Sequence, residues 1–356
     1  MENKKIKVAV IGVGSISESH IAAYKNNENV ELYALCDINE KILKEKGKKH
    51  GVEKLYTNVH EMLETLPEID AVSVCTWNCA HAECTIAALK AGKDVLCEKP
   101  MAMNAAEAQK MLDTARTCGR KLMIGFVRRF GNDTKVTKDF INGGSLGEIY
   151  YAKTTYLRRN GNPGGWFGDK SRSGGGPLID LGVHVIDLTR YLMGNPKPVS
   201  VYGATFKKLG NRPGIVKDPT DYFSASAAAN DACDVEDAVT ALVRYDNGAV
   251  LSVEASFSLN IKNPSGIIEL FGTKGGASLS PEFELYTDMN GYLTNVQLDI
   301  PTALAFDGLF QKEINFFVDA VINDVDTSSI AEDGVTLMKI IDAIYKSAEI
   351  GGEVKL

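Results

Sequence analysis

The chain has 356 residues, of which 44% are hydrophobic and 24% charged, with a net charge of −7 at pH 7. That length predicts two domains with sizeable cores, and an acidic balance without a long basic run argues against nucleic acid or an anionic membrane surface as the main partner. The seven cysteines are odd in number and scattered, as expected of core thiols in a reducing compartment.

The start, MENKKIKVAVIG, has no apolar signal core or cleavage site, and no stretch reaches the length of a membrane span. A cytoplasmic location is the default expectation. Ile6 to Ile11 is a nearly continuous apolar run, the pattern of a strand covered on both faces. It leads into GVGSIS and a helix reaching about Asn27. Gly12 allows the tight turn, and Gly14 lets backbone approach a pyrophosphate beside Ser15 and Ile16 at the helix N-terminus. Ser17 stands at the third glycine position and is small enough for close helix–strand packing. The second strand, VELYALCD, ends at Asp37, whose carboxylate suits the ribose hydroxyls of an adenosine. A 2′-phosphate would meet that charge, and Ile38 and Asn39 offer no arginine, so NAD is expected rather than NADP.

Further strands are read at Ala71 to Cys75, Asp94 to Cys97 and Leu122 to Gly125. Helices are read at about residues 80–90 and 104–118. Strictly alternating elements predict an α/β, doubly wound parallel sheet over residues 1–125, with its ligand past the carboxyl ends of the strands. There stand Gly12 to Ser17, Asp37, Thr76, Asn78, His81, Glu98 and Lys99, all candidate cofactor contacts. Cys75, Cys79, His81 and Cys84 crowd together, but they lack a paired CxxC arrangement and Cys75 ends a buried strand. No metal is expected.

Residues 126–356 read as an α+β domain for substrate binding and oligomerisation. Strands are expected at 148–159, 199–206, 238–245, 249–257 and 267–271. Asp246-Asn247-Gly248 is a hairpin signal. The result is a mostly antiparallel sheet with one face on helices and a flat face free for a second subunit. Two amphipathic helices follow, near 309–323 and 331–347. Arg128, Tyr156 and Asn160 are candidate contacts for cofactor or substrate. The glycine-rich loop from Arg158 to Pro177 carries Trp166, placed to stack on a sugar or nicotinamide face or simply to anchor the loop. The irregular stretch from Lys207 to Asp237 covers the site or meets a neighbouring subunit; its residues do not say which.

Residues 174–194 read GGGPLIDLGVHVIDLTRYLMG. Leu178, Leu181, Val185, Leu188 and Leu192 fall at helical spacing, while Asp180 and His184, four apart, share a face. Taken alone, this pair reads first as a satisfied core contact. Lys99 ends the strand DVLCEKP, and Pro100 after it fixes the turn.

Together the N-terminal glycine turn, EKP at residues 98–100 and GGGPLIDLGVH at 174–184 resemble the glucose–fructose oxidoreductase / inositol dehydrogenase (Gfo/Idh/MocA) family, over essentially the whole chain. The resemblance implies an N-terminal Rossmann domain and a C-terminal α+β domain with a large open, mostly antiparallel sheet. It implies tight NAD binding and oxidation or reduction of a hydroxyl on a sugar, cyclitol or glycoside. Homo-oligomers, dimers or tetramers, through the open sheet are also implied. Carried over by motif, Lys99, Asp180 and His184 form the catalytic group and contact the substrate; Tyr156, Asn160 and Trp166 are read from their positions as further candidate substrate contacts. Two rival readings stand beside it: a glycosidase using transient oxidation and elimination, and a non-catalytic nucleotide-sensing binding protein.

Overall fold

The structure, a computed structural model, describes residues 5–212, 214–216, 223, 224, 227, 228, 231–279, 282–306 and 308–356. The chain divides into two compact units, Met1–Val127 with Asp307–Met338, and Arg128–Phe306 with Lys339–Leu356. The break at Val127 lies beside the expected boundary. The expected second domain is not one piece, however, because residues 307–338 return to the first unit. Helix Leu309–Asn323 packs on helix Ser17–Lys25 and buries Ile314, Phe317 and Val318. Its periodicity announced a helix with one apolar face, but not which surface that face covers.

In the first unit six described strands, β1 (Ile6–Ile11), β2 (Val30–Cys36), β3 (Lys54–Tyr56), β4 (Ala71–Val74), β5 (Asp94–Cys97) and β6 (Leu122–Ile124), form one sheet. Its order is β3-β2-β1-β4-β5-β6, parallel at every join. This is the doubly wound order, and its direction reverses between β1 and β4, where such sheets take their ligands. Val8, Ala9 and Val10 are fully buried, which explains the unbroken apolar run. β3 escapes a sequence reading because three half-buried residues carry no period.

The second unit holds β7 (Ile149–Leu157), β8 (Pro198–Phe206), β9 (Ala238–Tyr245), β10 (Val250–Ser256), β11 (Ser265–Gly272), β12 (Gly276–Ser278), β13 (Glu284–Met289), β14 (Tyr292–Gln297) and β15 (Val354–Lys355). Their order is β14-β13-β12-β11-β7-β10-β9-β8-β15. The β7–β10 join is parallel and the other described joins are antiparallel. The β9–β10 hairpin turns at Asp246 to Gly248, where Gly248 has φ +86°. Along β9, Val239, Ala241, Val243 and Tyr245 are buried while Thr240, Leu242 and Arg244 face out. The segment from Leu178 to Leu192 packs against β7 and β10. Tyr202 of β8 and Leu242 of β9 are cross-strand partners and both exposed. No described helix is long and apolar enough to cross a membrane.

Candidate active site

The glycine turn is dictated by sterics. Gly12 has φ +86°, and a Cβ there would lie 2.7 Å from the backbone of Cys75 and Thr76. A Cβ on Gly14 would meet nothing within 4 Å, so that side of the turn is open. Ser17 is buried, and its hydroxyl donates to the Gly14 carbonyl at 2.7 Å. The helix begins at Ser17 with no side-chain cap; Glu18 N and Ser19 N already donate to Ser15 O and Ile16 O, so the N–H groups before them are the ones a ligand could take. Asp37 braces this turn: it accepts from Val13 N and Asn39 N, each at 2.8 Å. The half-exposed carboxylate retains lone pairs for further donors.

Past β4 and β5, Thr76 and Lys99 are partly exposed, whereas Asn78, His81 and Glu98 are buried. His81 faces two carbonyls, Pro100 at 2.7 Å and Thr76 at 3.1 Å, so neither ring nitrogen is left for a cofactor. Burial pushes its imidazole below the ordinary histidine value, although the carbonyls pull the other way. His81 therefore ties the strand ends together. The Lys99–Pro100 bond is cis. Burial pushes the Cys84 thiol up to about 12 and that of Cys75 well above its usual value.

Glu98 is likewise engaged by protein groups. Its Oε1 accepts from His20 Nε2 at 2.8 Å and its Oε2 from the Lys99 N–H at 3.1 Å. His20 Nδ1 meets Ser73 Oγ at 3.1 Å, and Tyr24 OH meets the same oxygen at 2.7 Å. Burial alone would raise the Glu98 carboxyl, but the His20 hydrogen bond and the charges of His20 and Lys99 hold it below the usual range. Glu313 completes the cluster: donor atoms of His20, Glu98 and Glu313 lie within 4.8 Å of one another. Both Glu313 oxygens are buried without a hydrogen-bond partner. Burial and the Glu98 charge push the Glu313 carboxyl well above the usual glutamate value.

That raised value has a signed consequence. The native state keeps a proton that the unfolded chain releases above about pH 4.5. The contribution is whole below that pH and is lost as pH climbs toward the native value. Glu313→Gln preserves the shape and removes this linkage. Between about pH 5 and about pH 8 the variant's urea midpoint should fall less than that of the wild type. Parallel midpoint curves would contradict a protonated Glu313.

In the second unit, Asp180 does not sit on a regular α-helix. Leu178–Gly182 form a single π-helical turn that runs into α-helix Val183–Leu192. Such turns re-aim side chains and cluster at functional sites. From Gly175 to Arg190 every residue is buried except Asp180 and His184. The reading of this pair as sealed core is thereby corrected. Two of the three glycines before the helix, Gly175 and Gly176, are explained by what crowds them. A Cβ on Gly175 would lie 2.0 Å from Tyr345 Oη, and one on Gly176 would lie 2.4 Å from the Glu236 carbonyl. Glu236 accepts from Gly176 N at 2.9 Å, Leu178 N at 3.2 Å and Tyr345 Oη at 2.9 Å. It therefore caps the helix N-terminus, although it lies 58 residues beyond Leu178.

Downstream, Asp187 takes two hydrogen bonds from Arg129, at 2.9 and 2.5 Å, which pins the Val127–Phe130 turn to the His184 helix. Arg128 pairs with buried Asp133 at 2.9 Å and lines a cavity of about 460 Å³ in this same unit. Tyr156, Asn160 and Val185 also line it. Trp166 is not among its described lining residues; it stacks on Phe167, with centroids 4.1 Å apart.

Comparison with known proteins agrees with both units. The family described as "Oxidoreductase family, NAD-binding Rossmann fold" matches residues 6–126, and the GFO/IDH/MocA C-terminal domain matches residues 134–278. The D-glucoside 3-dehydrogenase of Escherichia coli (strain K12) is 35% identical over 100% of this chain and 99% of its own. The chain belongs to the GFO/IDH/MocA oxidoreductase family. The myo-inositol 2-dehydrogenase of Thermotoga maritima is 35% identical over 53% of this chain and 55% of that protein. A solved structure of levoglucosan dehydrogenase in complex with NADH is 26% identical, with a TM-score of 0.84 over 99% of each chain.

This GFO/IDH/MocA member is an NAD-dependent oxidoreductase. Its glycine turn suits the cofactor: the helix that follows has no side-chain cap, the space beside Gly14 is open, and Asp37 follows β2 directly. Sequence reasoning missed His20 and Glu313, which cluster with Glu98, and Glu236, which caps the helix approach to Asp180. It also passed over Arg158 and Arg159, which line the cavity beside Tyr156 and Asn160. Their position just past the end of β7 was the available signal.

Proposed function

We propose that this oxidoreductase oxidises a ring hydroxyl of a sugar, cyclitol or glycoside. The carrying observation is the exposure of Asp180 and His184 alone within a buried stretch. Burying an acid–base pair as mere packing needs no such opening, whereas proton transfer from a substrate requires one. In this reading His184 takes the hydroxyl proton as general base, since imidazole titrates near working pH. Asp180 holds the ring in its productive tautomer and steadies the imidazolium. Lys99 donates to the same substrate oxygen and offsets the charge that develops there. Bound NAD supplies the hydride acceptor. The N–H groups of Gly14, Ser15 and Ile16 hold its pyrophosphate, with Asp37 and Ile38 flanking the ribose and Thr76 bordering the site. Tyr156 and Asn160 contact the substrate through the cavity that they line.

The whole-length match to a D-glucoside 3-dehydrogenase ranks glycosides ahead of cyclitols for testing. The named relatives favour net oxidation over the elimination reading. Exposed Tyr202 and Leu242 on one sheet face support a homo-oligomer through that face. Seven free cysteines support a cytoplasmic location. The deciding assay is NADH absorbance with the purified protein and NAD against aryl and alkyl glucosides, aldoses and inositols. Steady NADH formation with one class is expected. Released aglycone without net NADH would instead favour the elimination chemistry.

A further inference from the structure

We infer that the substrate carries an anionic group, a carboxylate or a phosphate, which Arg158 and Arg159 hold in the second-unit cavity; this rests on the dehydrogenase reading above. The cavity measures about 460 Å³. That lies in the usual range for small-molecule sites, roughly 300–1,000 Å³, with room for a hexose and a substituent. Val185 lines it, one residue from His184. The binding volume therefore adjoins the helix that carries the proposed base.

Its walls are positively charged. Arg128, Arg158 and Arg159 line it, and no carboxylate does so among the described lining residues. Arg128 is neutralised by Asp133. The other two are not. The Arg158 guanidinium lies 5.5 Å from the centre of the Tyr156 ring, and Arg159 donates to the Lys262 carbonyl. Neither has a carboxylate partner among the described ion pairs. Their backbone is fixed. Arg158 N donates to Ser256 O at 2.8 Å, Ser256 Oγ donates to Arg158 O at 2.7 Å, and Arg212 donates to Arg159 O at 2.7 Å.

The chemistry of these side chains selects the ligand. Sugar hydroxyls donate and accept, and neutral polar side chains suffice to read them. A guanidinium only donates, in a fork that matches the paired oxygens of a carboxylate or phosphate. Two such forks without acids, in a chain of net charge −7, make a local cationic site that the overall charge does not explain.

The test compares a neutral alkyl glucoside, its 6-phosphate and a glucoside with a carboxylate on the aglycone. NADH formation and calorimetric binding to the NADH-loaded protein are both measured. At least one anionic compound should exceed the neutral one by about tenfold or more in kcat/KM and in affinity, mainly through KM. The preference should shrink with added salt and fall toward one in Arg158→Ala/Arg159→Ala. Which anionic compound leads separates carboxylate from phosphate. Equal binding of neutral and anionic glucosides by the wild-type protein overturns the inference, whatever the variant does. Anion-selective binding without NADH formation upholds it and counts against the dehydrogenase reading alone.

Discussion

Lys99→Ala should lower kcat by about 10³-fold while NADH binding stays within about threefold of wild type. Lys99 follows the fully desolvated Glu98, and its backbone N–H is tied to the Glu98 carboxylate. The substitution leaves that hydrogen bond, the His20–Glu98 pair and Pro100 untouched. It removes the partly exposed ammonium beyond the end of β5, together with its pull on the Glu98 carboxyl. The loss should therefore fall on chemistry rather than on folding or cofactor affinity. Steady-state turnover and a NADH fluorescence titration on the same preparation separate these effects. Turnover near the wild-type value would remove Lys99 from the mechanism. A parallel collapse of NADH binding would make it a cofactor anchor instead.

Asp187→Ala should cost about 3–5 kcal/mol of folding stability. Its carboxylate receives two hydrogen bonds from Arg129, and the two side chains are 4% and 8% exposed. Arg129 also lies over the Tyr191 ring at 4.7 Å, and Lys138 approaches the same ring at 4.4 Å. Burial, with the nearby Arg129 charge, already holds the Lys138 ammonium below its ordinary value. Removing Asp187 takes away the charge that Arg129 is bonded to, beside an aromatic face that Lys138 also approaches. Urea unfolding measures the loss. The double variant Arg129→Met/Asp187→Leu should recover most of it, because no buried charge is then stranded. A loss under about 1 kcal/mol in the single variant would show that the pair is solvated or replaceable.

The legible parts of the molecule were those governed by local rules. The apolar run of β1, the required positive φ at Gly12 and the Asp246–Gly248 turn each speak through a few adjacent residues. EKP and DLGVH were legible as motifs, and the structure adds why their neighbours are small or buried. The π-turn at Leu178–Gly182 was not legible, because the same apolar spacing fits an ordinary helix until Glu236 and Tyr345 crowd its approach. Polar pairing between distant segments has no period. Nothing near Gly176 announces Glu236, and nothing near Glu98 announces Glu313. His81 and Glu98 were placed at the correct end of the sheet, but the direction in which each side chain points is set by Pro100 and His20.

The return of residues 307–338 to the first unit bears on how the chain is made. All six described strands of the nucleotide-binding sheet have been synthesised once Ile124 is added. The helix that covers Ser17–Lys25 is finished only at Asn323. At about 5–20 residues per second, that interval lasts roughly ten to forty seconds. Throughout it the sheet lacks Ile314, Phe317 and Glu313, and the apolar side of Ile21 and Tyr24 has no cover from that helix. Vectorial synthesis thus leaves the nucleotide-binding sheet to be completed by a segment translated after all of residues 128–306.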